Sequence, residues 1–164
     1  MKDLMIDLGN YHLWANRRLL DAIGNLPPDY PTKEVASSFP SLWLTVKHLY
    51  RAECIWLQRL QMNENPAFAF ENFEGPFSEL ATGMIQQNEL LIQWMQEQKE
   101  AFFEHTMAYY NSQKQYFKQP VYQCLQHLFY HGAYHRGQLV TMLHELGVTK
   151  IPATDYIVFK RSKK

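Results

Sequence analysis

The sequence predicts an all-α protein, a four-helix bundle with a short extended or hairpin-like connection before its last helix. Four long segments repeat apolar residues at helical spacing, and segments rich in proline, glycine and asparagine separate them. Amphipathic helices of this length bury their apolar faces against one another. The 164 residues suffice for one hydrophobic core, so we expect a single domain over residues 1–164.

The first two predicted helices carry one apolar stripe each. The first runs from about Asp3 to Ile23 and ends at the turn-rich segment GNLPPDYP. The second runs from about Pro40 to Met62, and Pro40 suits the first turn of a helix. The apolar stripe of the second helix consists of Leu42, Leu49, Trp56 and Leu60.

The second half of the chain contains two further helices and the connection between them. The third helix is predicted from about Phe77 to Phe103, with Ser78 as its N-cap. The segment 105–119 has no helical period and is rich in tyrosine and phenylalanine, which predicts an extended or hairpin-like connection. Pro120 then opens the fourth helix, which we expect to end at ELGVTKIP with Gly147 as its cap.

Charge and cysteine content exclude several classes of protein. Sixteen basic and sixteen acidic residues cancel, so no broad basic surface for nucleic acid is predicted. The chain has neither a signal-peptide pattern nor an apolar run of about 18 residues, the length of a membrane span. Cys54 and Cys124 form no CxxC pair, which fits a reducing compartment. We therefore expect a cytoplasmic protein that binds neither nucleic acid nor membrane.

The fourth helix carries His127, His131 and His135 at four-residue intervals in HLFYHGAYHRGQL. At about 100° per residue, the centre of its apolar stripe lies roughly 20° from His135, 60° from His131 and 100° from His127. His131 and His135 are therefore expected to face the bundle interior, and His127 to face away. Histidines at positions i and i+4 stand one above the other on a helix, so both can bind one ion.

A third histidine ligand is available on the second helix. His48 lies about 80° from the centre of the apolar stripe of that helix, and from this edge a side chain reaches a site between helices. His48, His131 and His135 together predict a three-histidine site for a divalent metal ion. The alternative is a set of buried neutral histidines that bond to backbone or tyrosine oxygens. Burying several polar rings side by side costs free energy unless something satisfies their nitrogens, which favours the metal.

Other metal and cofactor sites fit the sequence less well. Carboxylate di-iron bundles need Glu-x-x-His, and no acidic residue here has a histidine three positions later. A haem would need ligands on opposite sides of the porphyrin, which two histidines on one helix face cannot provide. A site made of Cys124, His127 and His131 is a further alternative, although Cys124 and His131 are about 10.5 Å apart in helical rise.

Four segments together carry a family resemblance that covers nearly the whole chain: YHLWANRRLLDAI, LTVKHLYRAECIWLQRL, HLFYHGAYHRGQL and PATDYIVF. The chain resembles the DinB family of four-helix-bundle proteins, which is related to the bacillithiol and mycothiol S-transferases. In that family a histidine of the second helix and the pair in HxxxHRGQ hold a divalent metal ion. The resemblance carries this role over to His48, His131 and His135, and it implies a homodimer. His127 matches a position that is often histidine without being a ligand.

Three neutral nitrogen ligands leave coordination positions open on a divalent ion, as in catalytic sites. Such an ion lowers the pKa of a bound water or of a substrate thiol. Because the resemblance includes S-transferases, the leading prediction is a metal-dependent enzyme that joins a low-molecular-weight thiol to an electrophilic substrate. The alternatives are a metal-dependent hydrolase and a non-catalytic metal-binding stress-response protein. The ion itself is predicted as Zn, Ni or Fe.

Two residues near the predicted ligands are candidates for orienting the substrate. Arg136 follows His135, and Gln138 lies one heptad after His131 on the same helix face. Either is placed to orient the carboxylate of the thiol or a water near the ion. For Arg136 a surface or interface salt bridge is the alternative. Ten Tyr, ten Phe and four Trp exceed what one small core hides, so some should line a pocket or a dimer interface.

Overall fold

Four long helices make up most of the computed structural model, which describes residues 1–162. They are α1 (Lys2–Gly24), α2 (Leu42–Leu60), α3 (Phe77–Glu97) and α4 (Val121–Glu145). α1 and α2 each pack against both α3 and α4, so α1 lies diagonally across the bundle from α2. The predicted four-helix bundle is therefore confirmed.

α2 begins at Leu42 rather than at the predicted Pro40. Ser41 is the N-cap, with an extended backbone, and its hydroxyl accepts a hydrogen bond from the Leu44 amide at 3.1 Å. A serine in this position satisfies one of the free amide groups of the first helical turn. The cap therefore sets the start of the helix, and Pro40 lies outside it.

α3 ends at Glu97, earlier than predicted, and Pro76 rather than Ser78 is its N-cap. The start of α1 contacts this end of α3. Nζ of Lys2 donates to the carbonyl oxygens of Gln96 and Gln98, each at 2.6 Å. These bonds satisfy carbonyl groups that have no partner within the helix. The chain then forms a 3-10 turn at Glu100–Glu104.

A β-hairpin leads into α4. This agrees with the extended or hairpin-like connection predicted before that helix. Strands β1 (Thr106–Tyr110) and β2 (Tyr116–Pro120) pair antiparallel, with Tyr110 opposite Tyr116. The side chain of Asn111 accepts hydrogen bonds from two backbone amides of the turn, at 2.9 Å each. Pro120 ends β2 and is the N-cap of α4, so the hairpin and the helix are joined directly.

α4 ends at Glu145 with Leu146 as its C-cap, and Gly147, the predicted cap, is the next residue. Its φ of 81° lies in the left-handed region, which glycine adopts without steric cost. The amides of Gly147 and Val148 donate to the carbonyl oxygens of His144 and Leu143, each at 2.9 Å. A short helix that was not predicted, α5 (Tyr156–Ser162), then packs against α1 through the rings of Tyr11 and Tyr156, whose centroids are 5.3 Å apart.

The bundle interior contains two apolar clusters with a polar layer between them. One cluster includes Leu19, Leu49, Met84 and Leu139, and the other includes Met5, Leu60, Leu91 and Leu125. The buried polar residues between the clusters include five that come from all four helices: His12, Asn16, Glu53, Asn88 and Arg136. Within residues 1–162, none of the helices combines the length and apolarity that a membrane span requires.

Candidate metal centre

His48 of α2 meets His131 and His135 of α4 at the seam between the two helices. Nε2 of His131 lies 3.1 Å from Nε2 of His48 and 3.1 Å from Nε2 of His135. Nitrogens that bind one ion at about 2.0–2.1 Å are roughly 3 Å apart, so this spacing fits a single divalent ion. Among residues 1–162, these three histidines form the group positioned to hold a metal ion. The structure thus brings together the three residues that the sequence predicts as ligands.

The tautomer of His135 follows from its hydrogen bond to Gln138. Oε1 of Gln138 lies 2.6 Å from Nδ1 of His135, and Nε2 of Gln138 donates to Ser38 Oγ at 3.1 Å and to Tyr134 Oη at 3.3 Å. Because an amide oxygen only accepts, we assign the hydrogen of His135 to Nδ1. Its Nε2 therefore presents a lone pair to the centre, the arrangement usual for metal-binding histidines.

The three imidazoles are neutral at pH 7. Burial lowers the pKa of His48 to about 4, and the neighbouring His135 and Arg51 act in the same direction. Burial likewise lowers the pKa of His131 to about 4, together with the proximity of His135 and His48. The pKa of His135 is also lowered by burial, against the effect of its bond to Gln138. Neutral imidazole is the form that binds a metal ion.

Aromatic rings border the three histidines. Phe39 stacks on His48 with ring centroids 4.3 Å apart, and the ring of Tyr134 lies edge-on to His135 at 5.1 Å. Phe39 belongs to the segment before α2, where no helical period marks it, so sequence reasoning did not identify it. These rings form the aromatic border of the site, and Tyr134 is itself largely exposed.

His127 lies beside the three histidines and not among them. It is exposed, and its ring centroid is 5.9 Å from that of His131 and 5.2 Å from that of Trp56. His127 also lines a cavity of about 280 Å³, together with Trp56, Tyr109, Gln119, Gln123 and Cys124. His127 therefore lies next to both the candidate metal centre and an aromatic cavity.

A second cavity lies elsewhere in the bundle. It measures about 480 Å³ and lies between the end of α1 and the starts of α2 and α3, lined among others by Ile23, Leu26, Trp43 and Phe77. It is largely apolar and contains none of the three histidines. We therefore place the candidate functional site at the histidines and the adjoining aromatic cavity.

Neither cysteine is a reactive nucleophile. The Cys54 thiol contacts Oε1 of Gln87 at 3.3 Å, and burial raises its pKa to about 12. Burial also raises the pKa of Cys124, to about 11. Both thiols therefore stay protonated near pH 7. The alternative ligand set of Cys124, His127 and His131 is not the group that the structure assembles.

Arg136 lies in the bundle core, at 3% exposure, and not at the surface. Its Nη1 lies 3.1 Å from Nδ1 of His12 and 3.0 Å from Oδ1 of Asn16, so the guanidinium is directed toward α1. The surface salt bridge considered for this residue is therefore wrong. Of the two residues predicted to orient the substrate, Gln138 contacts a ligand histidine directly and Arg136 contacts none of the three.

Comparison with known proteins identifies the family of this chain. The sequence profile of the DinB family matches residues 1–164. The chain belongs to the DinB family. The family protein named Protein DinB in Bacillus subtilis (strain 168) is 26% identical over 163 residues, which cover 95% of this chain and 93% of that protein. The resemblance seen in the sequence motifs is thereby confirmed.

The DinB fold is also found in a solved structure. A DinB-like protein from Bacillus cereus ATCC 10987 superimposes with a TM-score of 0.69 at 18% identity, over 88% of this chain and 91% of that one. At this identity the likeness concerns the fold alone. The position of the three histidines between α2 and α4 is a feature of this chain's own geometry.

Proposed function

We propose that this DinB family protein is a metal-dependent enzyme that transfers a low-molecular-weight thiol to an electrophile. One observation carries the proposal: Nε2 of His131 lies 3.1 Å from Nε2 of both His48 and His135, and these three neutral histidines lie beside an aromatic cavity. Three neutral protein ligands leave room at a divalent ion for a substrate, whereas structural sites are usually closed by four.

The chain supplies the ligands and their orientation. His48, His131 and His135 would hold the ion through Nε2, and Gln138 fixes the ring of His135. Zn, Ni and Fe all suit imidazole ligands. When bound in such a site, a divalent ion lowers the pKa of a coordinating thiol, so that thiolate is available near neutral pH.

The absence of a reactive cysteine supports a substrate thiol as the nucleophile. Cys54 and Cys124 are both held protonated by burial. In the proposed reaction, the sulfur of the substrate thiol forms a bond to an electrophilic carbon. The bond to the leaving group breaks, and its electron pair departs with that group, while the thiol proton passes to water. The electrophile is proposed to occupy the cavity at Trp56, Tyr109 and His127, whose rings suit an apolar or aromatic group.

A transferase assay tests the proposal directly. The purified protein is loaded separately with Zn, Ni and Fe, and each form is incubated with several cellular thiols and a chromogenic aryl halide. We expect metal-dependent thioether formation by the wild type and a loss of at least about 100-fold in His131→Ala, since the ligand set is broken. His144→Ala removes an exposed histidine from the same helix and is the matched control.

Three results would contradict this function. Equal rates for the wild type and His131→Ala, with every thiol and metal, would eliminate thiol transfer. If the metal-loaded wild type then hydrolyses an activated ester and His131→Ala does not, the protein is a hydrolase. Metal binding without either activity would indicate a non-catalytic metal-binding protein.

A further inference from the structure

The five polar residues at the bundle centre form a closed ring of hydrogen bonds, the buried polar ring. Its members come from all four long helices: His12 and Asn16 from α1, Glu53 from α2, Asn88 from α3 and Arg136 from α4. None is more than 3% exposed. The ring therefore joins every long helix at one level of the bundle, including α1 and α2, which lie diagonally opposite.

Every hydrogen bond in the ring runs from Arg136 toward Glu53. In the short arm, Arg136 Nη1 donates to Nδ1 of His12 at 3.1 Å, and Nε2 of His12 donates to Oε1 of Glu53 at 2.7 Å. A guanidinium only donates, so Nδ1 must accept and the hydrogen of the neutral imidazole is on Nε2. Burial lowers the pKa of His12, which agrees with this neutral form.

The long arm reaches the same carboxylate through two amides. Arg136 Nη1 also donates to Oδ1 of Asn16 at 3.0 Å, and Nδ2 of Asn16 donates to Oδ1 of Asn88 at 2.8 Å. Nδ2 of Asn88 then donates to Oε2 of Glu53. Both carboxylate oxygens are thereby used. The side-chain amides of Asn16 and Asn88 each accept a hydrogen bond from one neighbour and donate one to the next. All of these bonds form together only when the four helices are in this relative position.

The ring lies directly behind the candidate metal centre. On α4, Gly132 follows His131 and Arg136 follows His135, so the residues next to two ligands face α1. The His12 ring is so close to Gly132 that a Cβ there would be 2.2 Å from Cε1 of His12. On α2, Glu53 lies five residues after His48. The ring thus connects the helix that carries His48 with the helix that carries the other two ligands.

Stability alone does not account for a ring of this composition. Charged groups lose hydration when they are buried, and apolar replacements of buried ion pairs are often equally stable. Apolar clusters already lie on both sides of the ring, but apolar contacts are non-directional and tolerate small shifts between helices. Hydrogen bonds between fixed partners do not tolerate such shifts, and a metal site needs its ligands placed within about half an ångström.

We propose that the buried polar ring sets the position of α2 against α4, so that His48 reaches the point at which it meets His131 and His135. His12, Asn16, Glu53, Asn88 and Arg136 are then positioning residues for the metal centre. This inference rests on the metal binding in the proposed function and is independent of thiol transfer.

Cobalt(II) binding tests the positioning role, because the visible absorption of the ion reports its ligand geometry. Two ring variants are compared with the wild type. Asn88→Ala interrupts the long arm alone, and the triple variant His12→Leu, Glu53→Leu, Arg136→Met replaces the charged arm with apolar side chains. Leu91→Ala is the matched control, since Leu91 is on the same helix as Asn88, is equally buried and belongs to an apolar cluster.

In both ring variants we expect Co(II) to bind at least about tenfold more weakly and with a changed absorption spectrum, the scale of loss seen when groups that support ligands are removed. Leu91→Ala should lose thermal stability yet keep the wild-type Co(II) affinity and spectrum. Circular dichroism establishes that each variant is folded. Should the triple variant not fold, Asn88→Ala, which keeps the charged arm, decides the comparison.

A folded ring variant that keeps the wild-type Co(II) affinity and spectrum would overturn the positioning proposal. Equal losses in Leu91→Ala would overturn it as well, because any core defect would then have the same effect. A wild-type protein that takes up no Co(II) would instead remove the metal centre itself, and with it the proposed function.

Discussion

Gln138 holds His135 in the tautomer that a metal ligand needs, through the 2.6 Å contact between its Oε1 and Nδ1 of the imidazole. Gln138→Leu removes this acceptor and leaves the ring free to turn. We expect metal affinity to fall about 10- to 100-fold, the usual effect of losing such a partner. Competition with a coloured chelator measures the change. Gln138→Glu keeps an acceptor, so an equal loss in that variant would contradict the orienting role.

The ligand set predicts about one divalent ion per chain. We expect elemental analysis to find no tightly bound ion in three purified variants, His48→Ala, His131→Ala and His135→Ala. His127→Ala should keep most of it, because this ring lies beyond the three Nε2 atoms, next to Trp56. Loss of the ion in His127→Ala to the same degree would show that the ligand set is assigned incorrectly.

Metal binding is expected to persist below pH 6.5, the ordinary pKa of histidine, and to weaken as the pH approaches the lower pKa values of His48 and His131. The pKa values of His48 and His131 are both about 4, and protonated imidazole cannot bind an ion. Titration of metal release against pH measures the midpoint. A midpoint near 6.5, the ordinary histidine value, would contradict the lowered pKa values.

The same two histidines make the metal-free protein less stable in acid. Their pKa values in the folded chain lie below the ordinary 6.5, so the unfolded chain binds more protons between about pH 6.5 and 4. The free energy of unfolding should therefore fall as the pH falls through this range. Urea unfolding at pH 7 and pH 5 measures the effect, which should be smaller in His131→Leu. An unchanged pH dependence in that variant would argue against the assignment.

Two glycines of α4 should respond to alanine in opposite directions. At Gly132 a Cβ would lie 2.2 Å from the His12 ring, so Gly132→Ala should cost about 1–3 kcal/mol through overpacking. At Gly137 no atom lies within 4 Å of the added Cβ, so Gly137→Ala should gain about 0.5–1 kcal/mol from helix propensity. Urea unfolding of both variants provides the comparison. A neutral Gly132→Ala would mean that α1 and α4 are not in close contact at this point.

We propose that the protein forms a homodimer, as the family resemblance implies. Tyr130 and Tyr134 are 65% and 63% exposed, one turn apart on α4, and exposed aromatic side chains of this kind often mark interfaces. Light scattering at micromolar concentration should give twice the 19.5 kDa of one chain. Tyr130→Ser should weaken the dimer more than Tyr110→Ser, an equally exposed tyrosine of the hairpin. A monomeric wild type would refute the dimer.

Helical phase predicted the fold and the three histidines because both depend on local periodicity. His131 and His135 share one face of α4 whatever surrounds the helix. The end of α3 depends instead on a contact with the start of α1, since Lys2 satisfies its last carbonyl groups. The local sequence around Gln98 does not indicate the contact with Lys2, so the predicted third helix was too long.

The buried polar ring was not predicted, although the sequence contains a signal for it. Asn88 falls between Met84 and Leu91 at the spacing of the apolar stripe, and Glu53 follows Leu49 by four residues. A polar residue in phase with an apolar stripe must find a partner in the core. The identity of those partners depends on how helices that are far apart in sequence pack together. Periodicity within one helix cannot predict it.

Neither apolar cluster includes a ligand histidine, and the buried polar ring uses none of the three. If the site takes up an ion as proposed, folding is therefore separable from metal uptake, in contrast to a zinc finger, whose core forms only around its ion. A bundle assembled in this way offers a preformed site on which one ion can exchange for another. The metal supply of the cell would then select the ion at the proposed site, and a change in that supply would change the chemistry of the site with no change in the sequence.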